Sequence, residues 1–209
     1  MASGSGTILD AMLSAGLPVA AVLADRECRA LERAQAAGVE SVLVERTEFG
    51  ADFDRWEYSA RVAAAIELLD VDLGAMAGFG TVLAEPVHDV LPDRLLNTHP
   101  ALLPSFPGWH GVRDALRYGV KVTGCTVHVA TVEVDHGPIL AQTAVEVRSD
   151  DDEASLHERI KATERALYPA TLAEIVADPK VLSEAVERWH SAQPGQSAQS
   201  GQSAQSMAT

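Results

Sequence analysis

Pro18-Val19-Ala20-Ala21-Val22-Leu23 is a short apolar run ending at Ala24-Asp25, and a helical pattern follows it from about Glu27 to Ala37. Ser41-Val42-Leu43-Val44 repeats the apolar run, and Phe53 to Leu69 repeats the helix, with Val62, Ala65, Ile66 and Leu69 at helical spacing. Leu73 to Ala77 reads as a third strand, weakened by Gly74, which offers no side chain to pack. Arg94-Leu95-Leu96 is a short fourth, and Lys121 to Val129 and Ile139 to Val147 are longer and richer in β-branched residues. This alternation predicts an α/β domain, a mostly parallel twisted sheet flanked by helices. The last two runs, joined through Asp135-His136-Gly137-Pro138, can pair antiparallel. A further helix starts near Asp151 to Glu153, whose acidic side chains suit its positive end, and runs to about Tyr168, before Pro169. Ligands of such sheets bind at the carboxyl ends of the strands.

The two ends of the chain read differently from the middle. Ser3-Gly4-Ser5-Gly6-Thr7, followed by Ile8-Leu9-Asp10-Ala11-Met12-Leu13, is a glycine-rich loop opening a helix. Such a loop normally follows a buried strand. Met1 and Ala2 alone precede it here, so the first strand is expected to be missing, leaving two sheet edges and a strip of core exposed. Ser191 to Thr209 carries no charge and no Leu, Ile, Val or Phe, and it repeats Gly-Gln-Ser-Ala-Gln-Ser in tandem. It reads as a disordered low-complexity tail (191–209) behind a single domain (1–190).

Composition narrows the partners. The 209 residues are 47% hydrophobic and 22% charged, a globular profile, with a formal net charge of −14. That charge repels phosphate backbones and anionic lipid, which argues against nucleic acid or membrane as partner. No apolar run approaches the roughly 20 residues that cross a bilayer. Cys28 and Cys125 lie far apart without metal-type spacing, which points to a reducing cytoplasm. The sequence is compatible with a monomer or a homodimer.

Chemistry concentrates in Leu96-Asn97-Thr98-His99-Pro100-Ala101-Leu102-Leu103-Pro104 and Phe106-Pro107-Gly108. Asn97 and His99 alternate at the end of a short strand, so both project the same way. An amide beside an imidazole suits a developing oxyanion, one donor neutral and the other charged. Against this stands a histidine merely satisfied inside a rigid loop. Asp135, in a turn between two β-rich runs, can pair with His99, raise its pKa and relay protons. It can equally serve the turn alone. The backbone of Gly4, Ser5, Gly6 and Thr7 can hold a phosphate. As a dinucleotide fingerprint the segment is poor, because Leu9 stands at the third glycine position. His110, His128, His136 and His157 lack the spacing of metal ligands, His128 reading as a strand-face residue, so no metal is expected. Cys125 reads as a buried, inert thiol.

Asn97-Thr98-His99-Pro100, Leu102-Leu103-Pro104 and Asp135 with Gly137-Pro138 together resemble the phosphoribosylglycinamide formyltransferases, the likeness running from about Ser3 to about Ala177. The resemblance implies a Rossmann-like formyltransferase fold and cytoplasmic purine biosynthesis. It further implies formyl transfer from the co-substrate 10-formyltetrahydrofolate to the amine of glycinamide ribonucleotide, without metal. Asn97, His99 and Asp135 fall on the family's catalytic trio. Gly4, Ser5, Gly6 and Thr7 fall on its phosphate loop, Glu164 on its ribose-binding acid and Arg55 on a substrate arginine. Phe79, Thr81, Val82, Leu83, Val129 and Val132 fall on the walls of the folate pocket, with Pro107-Gly108 at its border.

Gly80 and Thr81 stand where the family carries methionine and arginine, which implies weaker folate binding. The related methionyl-tRNA enzyme needs a further C-terminal domain, and the formyltetrahydrofolate hydrolase has a different residue after its histidine, where Pro100 stands here. A non-catalytic relative that only binds ligand is the alternative from another class.

Overall fold

A computed structural model describes residues 1–50 and 52–193. Seven helices and six strands are defined among them: α1 (Thr7–Ser14), β1 (Ala21–Ala24), α2 (Arg29–Ala36), β2 (Glu40–Leu43), α3 (Arg55–Leu69), β3 (Gly74–Met76) and α4 (Glu85–Val90), then β4 (Leu95–His99), α5 (Gly111–Tyr118), β5 (Val122–Val129), β6 (Ile139–Glu146), α6 (Glu153–Ala177) and α7 (Lys180–Ala192).

The sheet is more mixed than expected. β1 and β2 pair in parallel, and a separate four-stranded sheet has the order β3-β4-β5-β6. Within it β3-β4 is parallel, whereas β4-β5 and β5-β6 are antiparallel. The expected hairpin of the last two strands is present, and β5 also runs against β4. Its residues from Thr123 to Val129 are buried, so it is the central, fully covered strand.

The absent first strand needs correction. Met1 to Ser3 lie in extended register between the two sheets and supply the end of a connecting strand. The Met1 amine donates to the Ala75 carbonyl at 2.6 Å, and the Ala77 amide donates to the Met1 carbonyl at 2.8 Å. On the other side the Ala2 amide donates to the Leu23 carbonyl at 2.9 Å, in a parallel bridge with Ala24. Beside this short ladder lies an open apolar cavity of about 800 Å³, walled by Leu17, Val19, Leu69, Leu73 and Leu172.

Local chemistry accounts for the element ends. The Asp54 carboxylate accepts the Glu57 amide at 2.9 Å and starts α3, supplying one of the amide partners a helix start otherwise lacks. Asp152 and Ser155 form a reciprocal capping box on α6. That helix runs nine residues past Tyr168, through Pro169 to Ala177, contrary to the expected stop. Proline removes one backbone hydrogen bond, and burial of Tyr168, Leu172 and Ile175 against Leu96 and Val127 outweighs the loss. Gly74 also reads differently in place: a Cβ there would meet Leu95 and Leu91 methyl carbons at 2.8 and 2.9 Å, so the missing side chain is what lets them pack. At the C-terminus α7 takes in Ser191 and Ala192, and the Ser191 hydroxyl donates to the Glu187 carbonyl at 2.8 Å. The rest of the expected tail, 194–209, lies outside the described residues.

Candidate active site

The strand β4 presents Asn97 and His99 at its carboxyl end, as their alternation predicted. Its antiparallel register with β5 sets His128 directly across from Asn97 and Thr126 across from His99. The Thr126 hydroxyl fixes the proline-rich loop that follows, donating to the Ala101 carbonyl at 2.7 Å and accepting the Leu103 amide at 3.0 Å. A register shift at Val127/His128 interrupts the β5-β6 ladder beside the site, the usual place for a bulge that re-aims a side chain.

Asp135 arrives from the β5-β6 turn. Its Oδ2 accepts the Gly108 amide at 2.7 Å and lies 3.2 Å from His99 Nδ1, while Oδ1 lies 3.5 Å from His128 Nε2. His99 Nε2 lies 2.8 Å from the Phe106 carbonyl. Both ring nitrogens of His99 therefore face acceptors, an arrangement that only the doubly protonated ring satisfies fully. Burial pulls the His99 pKa below its ordinary value, and the Asp135 charge and the Phe106 carbonyl oppose that pull. Burial alone would raise Asp135, but His128, the Gly108 amide and His99 together hold it below the usual carboxylate range. Phe106 and Asp135 both adopt positive φ, 54° and 61°. Aspartate tolerates this region, whereas phenylalanine pays for it, so the backbone on both sides of His99 is held by its surroundings.

His128 is a strand-face residue, as the alternation predicts, and the face it occupies is that of the site. Buried, its Nδ1 lies 3.0 Å from the Val129 carbonyl and its Nε2 3.4 Å from the Asn97 amide nitrogen. The missed signal was pairing: antiparallel β4 and β5 must bring some residue opposite Asn97, and strand alternation selects polar His128.

These groups open into a cavity of about 730 Å³. Gly4 to Thr7 line one part of it, and Gly6, at φ 73°, caps α1. A Cβ on Gly6 would strike the Ala30 Cα at 2.9 Å, so the close approach of α2 requires glycine here. Glu164 enters from α6 with the Thr98 hydroxyl donating to it, and burial pushes its carboxyl above the usual range. Lys161 lines the same wall. Phe79, Thr81, Val82 and Leu83 line another part, with His88 and Trp109.

Three of the expected wall and substrate residues lie elsewhere. Val129 is fully buried among Leu96, Val127 and Tyr168, and Val132 points to solvent; Ala130, Thr131 and Val134 take their place along the cavity. Strand alternation turns Val129 inward, and the turn carries Val132 away. Arg55 is exposed at the first position of α3 and does not reach the cavity. Pro107 is likewise outside its lining, although Gly108 is within it. Among the described residues no group of three or more His, Cys, Asp or Glu side chains has metal-holding geometry. No helix among them is long and apolar enough to cross a membrane.

The formyl transferase family pattern matches residues 2–172. The phosphoribosylglycinamide formyltransferase of Mycobacterium tuberculosis (strain H37Rv) is 47% identical over 180 residues, which cover 84% of this chain and 82% of that protein. Glycinamide ribonucleotide transformylase 1 from Symbiobacterium toebii superposes with a TM-score of 0.75 at 40% identity, covering 81% of this chain and 82% of that one. The phosphoribosylglycinamide formyltransferase from Bacillus halodurans gives a TM-score of 0.77 at 31% identity, over 85% and 94%. With a matching pattern over most of its length and relatives this similar, the chain belongs to the formyl transferase family.

Proposed function

We propose that the protein transfers the formyl group of 10-formyltetrahydrofolate to the amine of glycinamide ribonucleotide, a cytoplasmic step of purine biosynthesis. The observation that carries this reading is the convergence of Asn97, His99 and Asp135 at one point of a cavity with two unlike ends. One end offers backbone amides at a helix start with Lys161 and Glu164, fitted to a phosphate and a ribose. The other is apolar, with Phe79 and Leu83, and fitted to a bicyclic ring.

The amine attacks the formyl carbon, forming a new C–N bond and placing negative charge on the formyl oxygen. The Asn97 amide donates to that oxygen, and the positive charge of protonated His99, whose N–H groups are held by Asp135 and Phe106, stabilises it most in the transition state. Asp135 keeps His99 oriented and favours its charged form. The bond to the folate nitrogen then breaks, and the proton lost by the attacking amine passes through His99, Asp135 and water to that leaving nitrogen. The products are the N-formyl ribonucleotide and tetrahydrofolate.

Incubation with both substrates, followed by folate absorbance, tests this. Turnover that disappears in His99→Ala is the expected result. A folded protein that releases no tetrahydrofolate in the presence of the ribonucleotide would refute it and favour a ligand-binding relative.

A further inference from the structure

Asp25, directly after β1, has no exposed surface and no part in the chemistry above. Its carboxylate takes a two-point contact from Arg26, Nε to Oδ1 at 3.0 Å and Nη2 to Oδ2 at 3.1 Å. The Thr81 hydroxyl donates to Oδ2 at 2.9 Å, and the Ser3 side chain lies beside the same carboxylate. Ser3 Oγ in turn accepts the Gly80 amide at 2.8 Å. Thr81 Oγ1 accepts Arg46 Nη1 at 3.2 Å, and the Arg46 guanidinium lies 4.0 Å from the Phe53 ring centre and 4.5 Å from that of Phe49. One buried charge thus ties together segments distant in sequence: the glycine-rich loop, the 78–83 wall and, through Arg46, the loop after β2.

Two of those segments line the cavity. The loop of Gly4 to Thr7 faces the proposed ribonucleotide end, and Phe79 to Leu83 face the proposed folate end. They meet at Ser3, whose amide donates to the Gly78 carbonyl at 3.1 Å and whose hydroxyl oxygen accepts the Gly80 amide, and Asp25 lies against that junction, holding Thr81. A carboxylate this enclosed must keep its donors, because losing one leaves a buried charge unsatisfied.

We propose that Asp25, acting through Thr81 and Ser3, is a positioning residue that couples the two substrate subsites, so that filling one orders the other. The inference rests on the proposed function for the identity of the two ligands. Coupling of this kind is reciprocal and typically changes affinity by about 5- to 150-fold. Thr81 therefore contributes through its hydroxyl, turned toward Asp25, rather than by replacing a folate-contacting side chain.

The test is calorimetric titration with tetrahydrofolate, with and without saturating glycinamide ribonucleotide, which together cannot react. Wild type should bind tetrahydrofolate at least about fivefold more tightly with the ribonucleotide present. Thr81→Val keeps the shape but removes the hydroxyl, and the enhancement should fall to less than twofold; Thr81→Ser should restore it. Asp25→Asn should behave like Thr81→Val if it folds, and the Thr81 pair decides the matter if it does not. A lower melting temperature with the enhancement intact would overturn the proposal, as would loss in both Thr81 variants or a wild type without enhancement. Failure of the wild type to bind either ligand would instead refute the proposed function.

Discussion

Replacing Asp135 by asparagine removes one charge and little else. The new side-chain oxygen can still accept the Gly108 amide, now at 2.7 Å, so the turn stays in place. What disappears is the negative charge 3.2 Å from His99 Nδ1. An opposite charge at such a distance shifts a pKa by about 1–3 units, which corresponds to about 1.4–4 kcal/mol of preference for the imidazolium. Burial already draws His99 below its ordinary value, so without Asp135 it falls further. Formyl transfer should then slow by about 10- to 1000-fold. If the rate requires protonated His99, kcat declines as pH rises through the His99 pKa, and Asp135→Asn moves that decline to lower pH. The assay is kcat from pH 5.5 to 9 with both substrates saturating, beside a thermal melt to show that folding is retained. A kcat within threefold of wild type, on an unshifted profile, would refute the argument that Asp135 charge sustains His99.

Three further substitutions each probe a single position. Glu164→Gln should raise the melting temperature at pH 8 but hardly at pH 4: the buried carboxyl has a raised pKa, so its favourable protonated form is complete below the unfolded value and lost as pH rises through the folded one. The same variant should raise KM for the ribonucleotide by about tenfold or more, since a charged hydrogen bond is worth about 1.5–3 kcal/mol. Thr126→Val should cost about 2–3 kcal/mol in urea unfolding, because the Ala101 carbonyl and Leu103 amide lose their buried partner. Gly137→Ala would place a Cβ 1.9 Å from the Val129 carbonyl oxygen, forcing the turn aside. It should cost about 3 kcal/mol and displace Asp135, with loss of turnover even where the protein remains folded at low temperature; full activity would show that the turn relaxes without moving Asp135.

Much of this site is local in sequence, which is why it is legible. Asn97 and His99 sit two apart on one strand, and strand alternation alone points them together. Asp135 needed a second inference, that the turn between β5 and β6 returns to the end of β4. His128 was lost because its place depends on register between strands 31 residues apart, which periodicity does not reveal. Val129 and Val132 lie outside the cavity lining for related reasons: alternation along β5 turns Val129 into the core, and the turn after it carries Val132 to solvent. Arg55 failed because a residue at a helix start can point anywhere around the axis. The α6 boundary failed at Pro169, where packing of the following turns overrides a local preference. The Asp25 cluster was invisible too: Ser3, Asp25, Arg46 and Thr81 are scattered along the chain and meet only once the sheets are placed.

The short ladder of Met1 to Ser3 also has a dynamic consequence. It is the backbone seam between the two sheets, with an open apolar cavity beside it, so the backbones of β1 and β2 are bonded to the larger sheet over little more than one residue pair. Such a unit opens at lower free energy than the whole molecule. Amides of Val22 to Ala24 should therefore exchange with solvent hydrogen sooner than those of Val127 and Val129, even though both sets are buried. Because Asp25 sits at the edge of that seam, occupancy of the active site should slow the exchange of the smaller sheet, making substrate a clamp on a part of the protein that it never touches.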